Sequence, residues 1–422
     1  MCVLTVVLRK TIFFFLIINK GDRVLSTKEK VIEFLIRTRT LMEPEIAREK
    51  KLLQRELVVN NEKNQQNNQN QNQNQKQQNQ NNLQLWDLAY CSGKARRRVQ
   101  MEKYSTSKQT ELACMEYFSV NNIIRGLGFV CESLFGVSLR EIPLHQWKGT
   151  EEDWVNEQTH SMQGARKIEA IHEKEGHIGT VYLDLYPREG KYRGAGHFVS
   201  RCGHCLPGEG DIPGTDAFQL PVIALLMNFA PPDKRRGMQQ EGGGGGEDAL
   251  LSHYEVETMF HEFGHALHSL LSRTRYQHLS GTRTLLDFVE VPSHVFEHFV
   301  WDHRVLKKFA KHYKTGKCIP LELVDRMNEQ RKIFWGIETD QQIVLSLLDQ
   351  KIHAMIDPTK ISTTDVLHQV QREYSTIPFH KEMVTHARFT HFVGYGCGYY
   401  RYVLFSSFYT NFITSSYDFD IC

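Results

Sequence analysis

The segment Phe260-His261-Glu262-Phe263-Gly264-His265 commits its stretch of chain to an α-helix and to a particular chemistry. Around it Val256, Met259, Phe260, Phe263, Leu267, Leu270 and Leu271 recur at three- and four-residue steps, which gathers them into one apolar stripe. His261 and His265 lie off that stripe and one helical turn apart, so both imidazoles leave the helix on the same face. Two neutral imidazoles so placed can hold one Zn²⁺ at about 2.0–2.1 Å, with room for a third ligand and a water. Glu262 follows the first histidine, where its carboxylate reaches that water without binding the metal. Zinc lowers the pKa of its water to about 7 and a neighbouring carboxylate takes the proton, the arrangement that hydrolyses peptide bonds. Gly264 costs about 1 kcal/mol relative to alanine inside a helix, so its presence predicts a close backbone approach at that point.

The third ligand is less sharply written. Glu290 in Asp287-Phe288-Val289-Glu290-Val291-Pro292-Ser293 is one candidate. The same segment also reads as an ordinary helix start, with Asp287 the N-cap and Glu290 its reciprocal partner, and Pro292 marks a boundary nearby. Glu297, two turns further on, is a rival ligand, while Glu255 and Glu257 read as solvated or outer carboxylates. His268 shares the face of the two histidines and reads as a surface or substrate-facing side chain, because only His261 and His265 enclose a glutamate.

Further along, His391, Tyr395, Tyr399 and Tyr402 are spaced four, four and three apart. Gly394, Gly396 and Gly398 interrupt them, which predicts a Gly-rich loop running into a helix near Tyr399. Phenol hydroxyls suit an oxyanion that develops during attack on a carbonyl; a tyrosine stripe packed in a core is the alternative.

Composition narrows the rest. The chain has 422 residues, with 51 basic against 49 acidic side chains, so no global charge argues for a nucleic-acid or membrane-surface partner. Arg96-Arg97-Arg98 reads as a solvated surface patch. Nine cysteines, thinly spread, fit neither a disulfide framework nor a paired zinc ribbon. Cys202-Gly203-His204-Cys205 reads as a loop with two free thiols, which suits a reducing compartment. The apolar run Ile12–Ile18 is far short of the roughly 20 residues that span a bilayer. It lacks both a convincing cleavage site and the Arg/Ser-rich pattern of a transit peptide. Asn60–Asn82 is nearly all Asn and Gln and reads as disordered, and Asp233–Asp248, with Gly242–Gly246, reads as a flexible linker. The expected division is a poorly ordered segment over 1–83, a catalytic domain over 84–405 with a flexible insert at 231–249, and a divergent tail over 406–422. Strands are expected at Ile178–Leu185, Val222–Phe229 and His197–Arg201, and strong helices at Leu321–Phe334 and Gln341–Met355.

Several strings together resemble the thimet oligopeptidase family of zinc metallopeptidases. They are His261-Glu262-Phe263-Gly264-His265-Ala266-Leu267-His268, Arg273-Thr274-Arg275-Tyr276-Gln277-His278, Gly281-Thr282-Arg283 and Asp287–Ser293. Gly179–Tyr186, Gln219–Val222, Leu348-Asp349-Gln350 and Gly394–Tyr402 extend the likeness over roughly Leu85 to Leu404. Within the family the second and third strings are most similar to the mitochondrial intermediate peptidase type. The resemblance implies a mainly α, zincin-like fold with a small β-sheet beside the histidine helix. It implies one Zn²⁺ per chain on His261, His265 and Glu290, with Glu262 as general base and then proton donor. It assigns Tyr399 and Tyr402 to the oxyanion, and His391 and Tyr395 to substrate. Arg401 departs from the small residue that relatives carry at its position.

The function so implied is removal of short N-terminal peptides from imported precursor proteins in the mitochondrial matrix. The alternatives are a general oligopeptidase, which would leave a cytoplasmic location open, or a truncated, non-catalytic remnant that binds peptides. Its expected partners are a peptide or precursor-protein substrate, with no nucleic acid and no membrane span. Because the family carries a further, mainly helical region, association with a larger homologue is also expected.

Overall fold

A computed structural model describes residues 27–67, 83–104, 110–143, 146, 165–206, 217–231, 249–285, 288–354, 362–394 and 396–404. The expectations for Ile12–Ile18, Gly242–Gly246, Asp287, Tyr395, the 406–422 tail and most of the Asn/Gln tract fall outside these residues. The helices, in chain order, are α1 (Lys28–Asn67), α2 (Leu88–Tyr104), α3 (Thr110–Met115), α4 (Val120–Phe135), α5 (His253–Leu271) and α6 (Val291–Phe299). They continue with α7 (His303–Phe309), α8 (Leu321–Lys332), α9 (Trp335–His353), α10 (Thr363–Tyr374) and α11 (His391–Gly394). The strands are β1 (Val137–Ile142), β2 (Arg166–His172), β3 (Gly176–Asp184), β4 (Gly196–Arg201), β5 (His204–Cys205), β6 (Phe218–Gln219) and β7 (Val222–Leu226). No described helix is long and apolar enough to cross a membrane.

The described residues form two compact units: one lies within Thr110–Met327, and the other joins residues 27–104 to residues 328–404. The first unit holds a five-stranded sheet in the order β1-β2-β3-β7-β4. Its pairs are antiparallel except β3 with β7, which run parallel. Ile178 to Asp184 of β3 are buried without alternation, as befits a strand covered on both faces. Helix α5 packs on β3, β7 and β4, so the small sheet lies beside the histidine helix. The approach is close at Gly179, where an added Cβ would sit 2.6 Å from Leu270 Cδ2. The apolar stripe of α5 is its core face: Val256, Met259, Phe260, Phe263, Leu267 and Leu270 are all buried.

The second unit is helical, and the expectation of a poorly ordered 1–83 segment fails over Lys28–Asn67, a single helix of 40 residues. The physical reason is an eleven-residue repeat. Val31, Met42 and Leu53 step by eleven, as do Leu35, Ile46 and Leu57, and all six are buried. Eleven residues make three turns at 3.67 per turn, which keeps both rows on one face of a long helix. Val31 and Leu35 pack with Ile343, Leu347 and Val370, and Met42, Ile46, Leu53 and Leu57 with Cys91, Ala95, Phe334 and Ile337. Glu49, fully buried in α1, accepts the N–H groups of Gly336 (3.2 Å) and Ile337 (2.8 Å), satisfying two open donors of the α9 N-terminus. Pro44 lies on the exposed face of α1.

Candidate metal centre

Helix α5 starts on a capping box: Ser252 Oγ accepts from Glu255 N at 3.3 Å and Ser252 N donates to Glu255 Oε2 at 2.7 Å. Glu255 is thereby a cap, and Glu257 accepts from Trp301 Nε1 at 2.7 Å; neither belongs to the centre. Two turns on, His261 and His265 face α6. An added Cβ at Gly264 would lie 2.6 Å from Ser293 Cα and 2.7 Å from Pro292 O, so the glycine lets the two backbones touch.

That contact brings Glu290 to the histidines. Glu290 is itself the N-cap residue of α6, with a proline in the first turn and no side-chain cap bond, so the helix-start reading of its carboxylate does not hold. Glu290 Oε2 lies 3.1 Å from His265 Nε2 and 3.4 Å from His261 Nε2. It also accepts from Ser293 Oγ at 3.0 Å. A tetrahedral shell with bonds of about 2.0–2.1 Å has ligand–ligand edges of about 3.3–3.4 Å, close to the separations found. The remaining nitrogen of His265, Nδ1, is buried with no hydrogen-bond partner among the described residues. The donor set therefore fits a zinc-sized cation.

Glu297, the rival, sits on the opposite side of the same imidazole. Its Oε1 lies 2.6 Å from His261 Nδ1, and its Oε2 lies 3.2 Å from His294 Nδ1. A carboxylate on Nδ1 fixes the tautomer that leaves Nε2 available to a metal. Burial opposes charge on His261, but its bonds to Glu290 and Glu297 outweigh that and raise it to about 10 in the metal-free protein. Burial likewise opposes the charge on Glu290, yet both imidazoles hold it well below the usual carboxylate range.

Glu262 is half-buried between the histidines, and burial raises its pKa against the pull of His261 and His265. Its carboxylate accepts the backbone N–H of His197, on β4. His197 Nε2 lies 3.2 Å from Ser269 Oγ. His268 stands edge-on to Phe288, and burial and then His265 lower it to about 4; it joins no ligand group among the described residues. Cys202 and Cys205 are free thiols, Cys202 buried and Cys205 paired within the short β5–β6 ribbon.

The second unit brings His391, Tyr399 and Tyr402 together. The ring centroids of Tyr399 and Tyr402 are 4.7 Å apart, and His391 lies 5.8 Å from Tyr399 and 6.1 Å from Tyr402. The main chain here hangs on Asp349, which is fully buried and accepts from Cys397 N at 3.1 Å and Tyr399 N at 3.0 Å. Gln350 Nε2 donates to Cys397 O at 3.0 Å, and Arg401, also buried, donates through Nε to Gly398 O. The Tyr399 hydroxyl donates to Gln342 Oε1 at 2.7 Å and the residue is buried, the geometry of the packing alternative; Tyr402 is half-buried.

His197, Ser293 and His294 were not anticipated as neighbours of the centre. For His294 a signal existed: it lies one turn beyond Glu290 and one turn before Glu297, the spacing already used to pair His261 with His265.

Comparison with known proteins adds relatives and a family. Curated relatives include mitochondrial intermediate peptidases of Arabidopsis thaliana, 36% identical over 321 residues, and of Homo sapiens, 36% identical over 320. That of Saccharomyces cerevisiae is 33% identical over 329 residues. The matches cover 75–76% of this chain and 40% of each relative, so the chain spans about two fifths of the length of the curated relatives it matches. The model of peptidase family M3 matches residues 22–420, nearly the whole sequence, and on that match the chain belongs to peptidase family M3.

Proposed function

We propose that this chain is a zinc endopeptidase of the mitochondrial intermediate peptidase type, trimming short N-terminal peptides from imported precursors in the mitochondrial matrix. The observation that carries the proposal is the convergence of His261, His265 and Glu290 around one point, with Glu262 on the same helix face. The names of the relatives support the choice of substrate and compartment.

His261 and His265 supply Nε2 and Glu290 supplies a carboxylate oxygen to the ion. When bound, zinc supplies Lewis acidity, making water a nucleophile near neutral pH and polarising the scissile carbonyl. Glu262, kept from the ion by its place in the helix, takes the proton of the attacking water and passes it to the leaving amine. The raised affinity of Glu262 for a proton suits both halves of that transfer. Glu297 holds the His261 ring in register. We assign substrate contact to His391 and to Tyr395, and oxyanion donation to Tyr402 and Tyr399. Of the two donors, Tyr402 has the more accessible ring, and Tyr399 would first have to release Gln342.

The test uses the full chain, its zinc content, and turnover of a quenched precursor peptide carrying an octapeptide leader. The wild type should carry one tightly held zinc and cleave, and Glu290→Gln should lose the tight zinc and the cleavage. A wild type without tight zinc, or an unchanged zinc affinity in Glu290→Gln, would overturn the site. Cleavage of short peptides alone, with the precursor spared, would favour the general oligopeptidase.

A further inference from the structure

His261, His294 and Glu297 form a cluster that the proposed reaction does not use as ligands. Their ligand atoms lie within 4.8 Å of one another. Glu297 bridges the pair, with one oxygen 2.6 Å from His261 Nδ1 and the other 3.2 Å from His294 Nδ1. All three side chains are partly exposed, at 22%, 24% and 17%, whereas those of His265 and Glu290 are at 10% and 8%. An ion entering here can keep waters in its remaining positions. His294 and Glu297 leave α6 one turn apart, the same device that pairs the histidines of α5. Two imidazoles and a carboxylate are a donor set that borderline cations such as Zn²⁺ accept. Only the 2.6 Å edge is short for metal ligands and must open to about 3.3 Å.

We propose that His261, His294 and Glu297 constitute a second, outer divalent-cation site that competes with the inner one for His261. The competition follows from one proton. A neutral imidazole carries a single N–H. An ion on Nε2 leaves that hydrogen on Nδ1, where Glu297 accepts it. An ion on Nδ1 leaves it on Nε2, 3.4 Å from Glu290. Each state finds a carboxylate waiting, and His261 serves one ion at a time. A cation held outside therefore denies the inner centre its first histidine.

The experiment is equilibrium dialysis of the metal-stripped full chain against Zn²⁺ alone, with circular dichroism to confirm folding. His265→Ala disables the inner site and spares every outer ligand. It should still bind about one ion per chain, more weakly than the wild type. Adding His294→Ala to it should weaken that residual binding on the order of 10–100-fold, the range lost with a metal-organising partner. Glu290→Gln, alone and with His294→Ala, repeats the comparison in a second background should His265→Ala fail to fold. His294→Ala by itself should leave the tight inner site intact. The outer site is overturned if neither background binds zinc, or if His294→Ala makes no difference in either. Failure of the inner-site reading would show separately, as a wild type without tight zinc.

Discussion

Two pairs of carboxylates, one pair in each unit, are held by different partners. In the first, Glu290 and Glu297 face imidazoles. In the second, Glu49 faces two backbone N–H groups, and Asp349 faces two more together with one imidazole, that of His353 at 2.9 Å. The electrostatic result differs in sign. Burial works against the charge on Glu297, but His294 and His261 outweigh it and pull it down to about 2. Burial raises Glu49 and Asp349, and their amide partners, with His353 beside Asp349, only partly offset it. A main-chain donor is bound into the fold and gives way to nothing. An imidazole can exchange a proton for a cation. A carboxylate held mainly by amides is thus a fastening, and one shared between two imidazoles is a place where an ion can enter.

Four measurements put that contrast to the test. The largest is expected at Glu262, which should behave as neither fastening nor ligand. Glu262→Gln should retain zinc while turnover falls on the order of 10²–10⁴-fold, the usual contribution of a general base. Loss of zinc together with activity would put Glu262 among the ligands. Next comes Asp349→Asn, which keeps the shape but turns one acceptor into a donor facing an N–H. Thermal or urea unfolding should show about 1–3 kcal/mol of destabilisation, with zinc content unchanged. A variant with normal stability and impaired metal binding would erase the distinction between the units.

Glu297→Gln should follow, with zinc affinity reduced about 10–100-fold because the His261 tautomer is no longer fixed by a charge. Calorimetric titration with Zn²⁺ measures it, and an unchanged affinity would make Glu297 a bystander. The smallest effect is the pH response of the metal-free protein. His261 is raised from 6.5 to about 10, so its contribution is complete below pH 6.5 and fades as pH climbs towards 10. Glu297 is lowered from 4.5 to about 2, so its contribution is present above pH 4.5 and fades on descent towards 2. The first unit should then be most protected between pH 4.5 and 6.5. Asp349 and Glu49, with raised values, favour protonation in the folded state, so mild acid should tighten their surroundings. Residue-resolved hydrogen exchange, corrected for intrinsic rates, should show opposite trends just below pH 4.5, where the first unit loosens as Glu297 protonates and the second does not; a common trend there would count against the comparison.

The same contrast explains what was legible in the sequence. The α5 stripe, the paired histidines and the meaning of Gly264 were readable because helical periodicity and a short motif are local. Strands β3, β4 and β7 appeared within a few residues of their expected ends, whereas β1 and β2 escaped notice, since Val137–Ile142 and Arg166–His172 mix charged residues into short runs. Helix α1 was missed because its repeat of eleven is longer than the windows in which amphipathicity is sought, and because it runs into the Asn/Gln tract. The choice between Glu290 and Glu297 hung on which side of His261 each would reach. Only the crossing of α5 and α6 determines that.

That crossing has a consequence for which ion the centre accepts. At Gly264 the main chain of one ligand-bearing helix rests against Pro292 and Ser293 of the other, leaving no side chain between them to yield. The span from the two imidazoles to the Glu290 carboxylate is therefore set by rigid backbone, like the jaws of a fixed-gap caliper. Ions that bind at about 2.0–2.1 Å match the gap, while Ca²⁺, which needs about 2.3–2.6 Å and six to eight oxygens, does not. If the centre holds a metal as proposed, the absence of one methyl group would favour the smaller ion.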